Sequence, residues 1–558
     1  MPEKKVSHRK TWAIVGICFL AFLLILTGFG IYVIHNIERK GRQLIIEKVE
    51  KSTDNLYTLD ISKMKVNLSK GKLALVDITL KVNENRLFAD SNKLPKAYYL
   101  VHAERIELSA MHIITALREK SELVIDKLEV MRPKIAMYPL NGIGKDTLKE
   151  INDQQLLPSF VHGLTLKEIL VDDGSFKRYI LGNQDSVFFH IDGINLVLNT
   201  LYINPEEILS TDAPLFKNIR FESNETKCSI NDYEVSVRNI HFDDESRRLT
   251  VDSVVIMPIF NKYIFPIKTG RPTTAEITMQ QVAVCNFNAE ELIYHHRLLI
   301  DSIQVDNYHV HAYKNKNVPP TPIIKPAFSQ MILQIPIPMK INKVKILGGN
   351  IHYEETAKGK EAIGTVFFND FKGEIRNITN IEDRAKSYCE ADVYGTVYKT
   401  GHITLRYSFP IDVSSTHFEL NGKIRNLQLS EVNAITEASG NIRIESGHIP
   451  EFSFTLSGND KTSTANVLML YNDLKVSLLK PDHEKKRSFI SAIANDFVLI
   501  SDNPKGKKDP REVRAHFDRN RYYFQFHQIW NTLYGGIKES VGIGKKEEKM
   551  MEKHKKND

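Results

Sequence analysis

Residues 123–138 read LVIDKLEVMRPKIAMY, and their spacing of apolar side chains recurs three more times in the chain. Residues 164–179 read LTLKEILVDDGSFKRY, and residues 298–313 read LLIDSIQVDNYHVHAY. In these three stretches large apolar residues stand at offsets 0, 2, 5, 7 and 12, and a tyrosine stands at offset 15. Residues 339–353, MKINKVKILGGNIHY, keep the apolar positions and bring the tyrosine one residue early. This recurrence predicts one structural unit that is used repeatedly.

The step from offset 2 to offset 5 is odd, so an uninterrupted strand would point the two apolar pairs to opposite faces. Polar residues at offsets 3 and 4 suit a β-bulge, which adds one residue and returns both pairs to one face. We therefore expect a long antiparallel sheet that bends repeatedly in one direction and has one apolar face. Shorter matches begin at Leu59, Leu249 and Ile277, and we attribute them to chance because 42% of the residues are hydrophobic.

The chain after residue 56 is typical of successive strands, since short runs of Val, Ile, Tyr, Phe and Thr alternate with turn residues. Val-Phe-Phe follows two of the repeats, at residues 187–189 and 366–368, which predicts two related halves. Proline-rich segments at 318–326 and 335–338 divide the region near its middle. Helices are predicted at residues 39–55, 111–120, 145–157 and 289–295.

Residues 12–34, WAIVGICFLAFLLILTGFGIYVI, contain no charged residue. As a helix this segment spans roughly 34 Å, enough for the hydrocarbon core of a bilayer. No small-residue cleavage site follows it, so we interpret it as an uncleaved membrane anchor. The flanking basic residues are almost balanced, and a short N-terminus before a large region favours placing that region outside the cytoplasm.

The C-terminal segment predicts an amphipathic helix, because Ile529, Leu533 and Ile537 recur every four residues. Trp530 and Tyr534 give this helix an aromatic edge. Two roles are open for it: docking at a membrane interface or the end of a groove, and packing on the last strands.

The composition excludes several functions. The net charge is only +7 and no basic stripe with a nucleic-acid-reading module is present. We find no catalytic motif and predict neither an enzyme nor a cofactor or metal site. His309 and His311 fit solvent-facing positions of a strand better than a metal site, and the acidic pairs at 172–173 and 354–355 are assigned to turns.

Several segments in order resemble AsmA-like proteins, members of the repeating β-groove or bridge-like lipid-transfer proteins. The resemblance begins with AERIEL at residues 103–108, a short helix and the repeat at residue 123. It continues through IPMKINKVKILGGNIHYEE, FFNDFKGEIRNI, ADVYGTVYKTGHITLRYSF, FELNGKIRNLQLSEVNAI and GNIRIESGHIPEFSFTLSG. The resemblance implies an inner-membrane anchor, an elongated and curved antiparallel β-groove in the periplasm, and phospholipid movement towards the outer membrane of a Gram-negative envelope.

On this basis we expect an anchor at residues 1–35, a helix and N-terminal β unit at 36–160, two β-groove units at 161–338 and 339–520, and the C-terminal helix and tail at 521–558. We expect phospholipid or another acyl lipid, the inner membrane and an outer-membrane or periplasmic protein as partners. The alternative is an envelope assembly factor that assists insertion of outer-membrane proteins. The candidate lipid-contacting residues are Leu123, Ile125, Leu128, Val130, Leu164, Leu166, Ile169, Val171, Leu298, Ile300, Ile303, Val305, Met339, Ile341, Val344 and Ile346, and the candidate interface residues are Ile529, Trp530, Leu533, Tyr534 and Ile537.

Overall fold

The structure is a computed structural model that describes residues 39–67, 70–89, 95, 97–111, 123–140, 164–181, 183–203, 217–381, 388–412, 414–479, 486–487 and 499–543. The expected mostly β class is confirmed, since 22 strands form in these residues. The predicted anchor at residues 12–34 lies outside the described residues. Within the described part of the chain, no helix is both long and apolar enough to cross a membrane.

The chain divides into two compact units, residues 1–229 with 236–249 and residues 230–235 with 250–558. The elements up to the division are α1 (Arg39–Ser52), β1 (Tyr57–Asn67), β2 (Lys72–Val82), α2 (Glu84–Leu87), β3 (Ala97–Met111), β4 (Leu123–Met131), β5 (Lys134–Pro139), β6 (Leu164–Ile180), β7 (Asn183–Ile203), β8 (Lys217–Ile230) and β9 (Tyr233–Asp243). In the first unit β1, β2 and β3 pair antiparallel in that order, and β6, β7 and β8 do the same.

The later elements are β10 (Arg248–Pro258), α3 (Phe265–Thr269), β11 (Thr273–Cys285), α4 (Ala289–His295), β12 (Leu298–Asn315), α5 (Phe328–Leu333), β13 (Met339–Ile346), β14 (Gly349–Thr356), β15 (Ile363–Thr379), β16 (Tyr388–Val397), β17 (Gly401–Pro410), β18 (Phe418–Gln428), a 3₁₀ turn (Leu429–Val432), α6 (Asn433–Gly440), β19 (Ile442–Gly458), β20 (Thr462–Leu479), β21 (Lys486–Arg487), β22 (Glu512–Asp518) and α7 (Gln525–Ser540). Strands β15 to β20 form an antiparallel series, and β22 pairs with β20.

The sheet is antiparallel-rich as expected, but the four repeats form parallel strand pairs within it, which the sequence did not predict. In the first unit β4 runs parallel to β6, and Ile125 and Leu128 lie opposite Leu166 and Ile169. In the second unit β12 runs parallel to β13, and every apolar offset of one repeat again faces the same offset of the other. The repeated spacing therefore records direct lateral pairing of the repeats.

The pairing of β4 with β6 is interrupted at offset 3, and the interruption affects both strands. The register advances by two residues on both strands, from Ile125 opposite Leu166 to Lys127 opposite Glu168. The intervening Asp126 and Lys167 form an ion pair of 2.7 Å. The irregularity is therefore common to both strands, whereas a β-bulge would place an extra residue in only one of them.

The shorter match that begins at Leu59 lies in β1. Leu59, Ile61 and Met64 are buried in the core cluster that contains Ile125 and Leu128. Strand β1 pairs antiparallel with β2, unlike the parallel pairs that the four longer repeats form.

The two Val-Phe-Phe sequences pair in the same register with the repeats that precede them. Tyr179 of β6 faces Val187 of β7, and Tyr353 of β14 faces Val366 of β15. These tyrosines close two of the repeats and these valines open the two Val-Phe-Phe sequences. The shared register supports the prediction of two related halves.

Three of the predicted helices are confirmed. The helix expected at residues 39–55 is α1, the one at 289–295 is α4, and the C-terminal helix is α7. Met111 of the helix predicted at 111–120 ends strand β3, and residues 112–120 lie outside the described residues. The helix predicted at 145–157 lies outside them as well.

Candidate functional site

The predicted lipid-contacting residues of the first unit lie in a closed core. Ile125, Leu128 and Leu166 are each 0% exposed, and Val130 and Ile169 are buried beside them. Ile45 and Val49 of α1 belong to the same cluster, so this helix supplies a second layer over the strands. Val171 is partly buried against the cluster, while Leu123 and Leu164 begin β4 and β6 and their side chains are outside the described part. The five buried side chains are at most 6% exposed and therefore leave almost no surface for a lipid.

The corresponding residues of the second unit are more open. Ile300, Met339 and Ile341 are buried, whereas the other candidates of β12 and β13 are half-buried: Leu298, Ile303, Val305, Val344 and Ile346. Among the described residues, neither of the two buried apolar clusters contains Ile303, Val305, Val344 or Ile346.

Two apolar rows cross the strands through these positions. Val284 at one end is buried and Ile375 packs against the second buried cluster, whereas Ile303, Val305, Val344 and Ile346 are half-buried. One row follows cross-strand partners from β11 to β16 and contains Val284, Ile303, Val344, Ile375 and Ala391. The neighbouring row contains Val282, Val305, Ile346, Gly373 and Val393. Cross-strand partners share one face of a sheet, so the two rows form a continuous apolar band, which we call the β11–β16 band.

Helix α7 separates its predicted interface residues into two groups. Ile529 and Leu533 are buried and Ile537 is partly buried in the cluster with Phe454 and Val467, so these three side chains pack on the strands. Trp530 and Tyr534 are 56% and 44% exposed, and their rings stack with centroids 6.0 Å apart. Their interface role stays a prediction.

A polar cluster in the second unit combines residues that the sequence does not place together. The parallel register sets His311 of β12 opposite His352 of β14, and the two imidazoles stack with centroids 4.3 Å apart. Glu354 lies two residues after His352, and its Oε2 is 3.1 Å from Nε2 of His311. Glu354 and Glu355 are buried within β14, so their assignment to a turn was wrong.

A lysine from outside the strands enters this cluster. The Nζ atom of Lys262 lies 2.9 Å from Glu354 Oε2, and both side chains are only 9% exposed. The Lys262 ammonium also contacts His311, and the Tyr263 hydroxyl donates a hydrogen bond of 3.1 Å to Glu354. An unpaired buried charge is costly, so each of these groups depends on the others.

The surroundings change the proton affinities in the cluster. Burial opposes ionisation of Glu354, but hydrogen bonds from Lys262 and Tyr263 and the charge of His311 outweigh it, so the pKa of Glu354 lies below its usual value. Burial lowers the pKa of His352, and His311 lowers it further. These environments favour an ionised carboxylate beside a neutral imidazole.

Sequence reasoning missed this cluster because its members belong to separate segments. The available signal was the alignment of two repeats, since His311 and His352 both stand at offset 13. Treating aligned repeats as neighbouring parallel strands would have placed the two imidazoles side by side.

No protein-family model matches this sequence, and no curated protein matches it either.

Proposed function

We propose that this protein is anchored in the inner membrane and carries acyl lipid along the β11–β16 band, an apolar surface of its large β-rich region. The proposal includes the elongated, curved groove and the periplasmic location that the resemblance to AsmA-like proteins implies. Transfer of phospholipid towards the outer membrane is the activity that fits this arrangement.

The observation that supports lipid binding is a group of four half-buried aliphatic side chains at the middle of the band, Ile303, Val305, Val344 and Ile346, which belong to neither buried cluster among the described residues. Single exposed apolar residues are ordinary on protein surfaces, but a contiguous apolar band typically marks a binding surface. Acyl chains lying on the band would gain about 0.8 kcal/mol for each methylene that is removed from water.

The first unit supplies a contrasting environment for the same repeat. Ile125 and Leu128 are sealed beneath α1, so they stabilise the fold and leave lipid contact to the more open positions of the second unit. Among the candidates, we therefore assign lipid contact to Ile303, Val305, Val344 and Ile346 rather than to Ile125 and Val130.

The exposed aromatic edge of α7 fits contact with a membrane interface. Trp530 and Tyr534 present rings with polar atoms at the surface, and Lys538 lies over the Tyr534 ring at 4.8 Å. Aromatic rings and lysine are favoured at the level of lipid headgroups.

A photo-crosslinking experiment in membranes tests the proposal. A photoreactive amino acid at Ile303 or Val344 should crosslink phospholipid, while the same probe at Gln304 should not, because Gln304 is the next residue along the strand and points to the opposite face. Absence of a lipid adduct at residues 303 and 344, or equal adducts at residue 304, would refute lipid binding on this band.

Charge substitutions provide the matched variants. Ile303→Asp with Val344→Asp should abolish lipid crosslinking from a probe at residue 305, because the carboxylates make the band unfavourable for acyl chains. Gln304→Asp with Lys345→Asp changes the adjacent cross-strand pair on the other face and should leave the adduct intact.

A further inference from the structure

The cluster of Lys262, His311, His352 and Glu354 has the geometry of a cation site. His311 Nε2 is 3.1 Å from one oxygen of Glu354, and His352 Nε2 is 3.8 Å from the other. One potential ligand atom from each of these three side chains lies within 4.8 Å of the others. Ligands of tetrahedral zinc at about 2.0–2.1 Å from the metal stand roughly 3.4 Å from one another, so small side-chain movements would enclose an ion.

The identity of the donors favours zinc. Two imidazole nitrogens and one carboxylate oxygen form a three-ligand set that Zn²⁺ accepts, with a fourth position left for water or another residue. Nε2 of His352 is buried and has no hydrogen-bond partner among the described residues, so this nitrogen is available as a ligand. Glu276 lies 3.8 Å from Nδ1 of His311 and is close enough to orient that ring as a second layer.

The cluster also has a route for an ion. A cavity of about 270 Å³ lies beside it, lined by His311 and His352 and by polar residues that include Thr278, Asn350 and Asn369. Oxygen and nitrogen atoms along this route can replace part of the hydration shell of an entering cation.

Lys262 occupies the position that a cation would take. Its ammonium is 2.9 Å from Glu354 and contacts His311, so one positive charge already balances the carboxylate. A divalent ion would have to displace this side chain towards solvent, with Lys262 remaining protonated. The site is therefore one in which a lysine and a metal ion compete.

We propose that His311, His352 and Glu354 form a Zn²⁺-binding site in which Lys262 is the resident cation of the metal-free protein. Zinc binding would replace one buried positive charge by another and join β12 to β14 through a metal. This inference does not depend on lipid transfer, because it concerns different residues and a different ligand.

Zinc binding can be measured on the full-length protein, purified in detergent without a histidine tag and stripped of metal. Competition with a chromophoric chelator at neutral pH should show one Zn²⁺ per chain. His352→Ala and Glu354→Gln should each weaken binding at least thirtyfold, because each removes one ligand. His402→Ala removes an exposed histidine of β17 outside the cluster and should leave zinc affinity unchanged.

The competing lysine provides the sharper test. Lys262→Met introduces a side chain of similar length without the positive charge, so it should tighten zinc binding at least tenfold. Binding of Co²⁺ should give the visible absorption of a tetrahedral site in the wild type and in Lys262→Met, and lose it in Glu354→Gln.

Two results would overturn the proposal. One is a wild-type protein that binds no more zinc than His352→Ala, with circular dichroism showing that both are folded. The other is zinc binding in Lys262→Met alone, which would mean that the lysine excludes the metal from the natural site.

Discussion

The parallel pair β4–β6 and the parallel pair β12–β13 contain the same apolar spacing in the same register, yet their environments differ. Leu128 and Ile169 stand at offset 5 of the first pair and are buried in the cluster that contains Ile45 and Val49 of α1. Ile303 and Val344 occupy offset 5 of the equivalent repeats and are half-buried in the β11–β16 band. The spacing determines which side chains share a face, and a separate element determines whether that face is covered.

The largest expected difference concerns stability. Leu128→Ala should cost about 2–5 kcal/mol because it leaves a cavity in a closed cluster, whereas Ile303→Ala at the equivalent, half-buried position should cost about 1 kcal/mol or less. Hydrogen exchange of the amides in β4 and β12 measures the free energy of local opening in each variant. Equal losses at the two sites would show that the band in the second unit is as tightly closed as the core under α1.

Helix α7 should respond to acid through a partly buried histidine, and helix α1 offers the comparison. Burial lowers the pKa of His527 on α7 to about 4, with Lys314 and Lys316 adding to the effect. The folded state therefore favours the neutral ring, and its stabilising contribution is complete above pH 6.5 and is lost as the pH falls towards 4. The packing of α7 should weaken over this range, whereas the α1 residues in the core of the first unit, Ile45 and Val49, have side chains that do not titrate.

Tryptophan fluorescence detects this difference. The chain has two tryptophans, so a Trp12→Phe background leaves Trp530 on α7 as the reporter. Its emission should change between pH 7 and pH 4, and His527→Phe should suppress the change because a phenyl ring preserves the stack on Tyr523 without titrating. A change that persists in His527→Phe would assign the acid response to another group.

The smallest effect concerns the tyrosine at offset 15 of the repeats. Tyr313 is buried and shares a hydrogen bond of 2.9 Å with the Thr356 hydroxyl, whereas Tyr138 stacks between Tyr98 and Tyr179. Tyr313→Phe should cost about 1 kcal/mol through the lost buried hydrogen bond, and Tyr138→Phe only a few tenths because the rings still stack. Urea unfolding of both variants compares them, and a larger loss for Tyr138→Phe would contradict the assignment.

Much of the fold was predictable because hydrophobic periodicity acts over a few residues. The mostly β class, helix α4 and helix α7 follow from local patterns, and so does the placement of both apolar pairs of a repeat on one face. The parallel pairing was not predictable by the same means, since offset 3 suggested a bulge in one strand and the structure shares the irregularity between two.

Only part of the candidate site was predictable, because sequence patterns describe the arrangement of residues that are close together in the chain. The apolar spacing identified Leu128 and Ile303 as equivalent, but the burial of Leu128 depends on packing with residues such as Ile45 that precede the repeat by far more than one strand. The histidine cluster also depends on residues that are far apart in the sequence, because His311 and His352 meet only through the pairing of β12 with β14.

From the order of its residues alone, this protein could be recognised as a repetitive β-rich chain with an apolar segment near its start and an amphipathic helix near its end. Which apolar faces are sealed, and which polar groups surround Lys262, depended on the folded arrangement of the chain. Side-chain spacing is a local property of a strand, whereas covering a face or balancing a buried charge requires partners that lie far away in sequence.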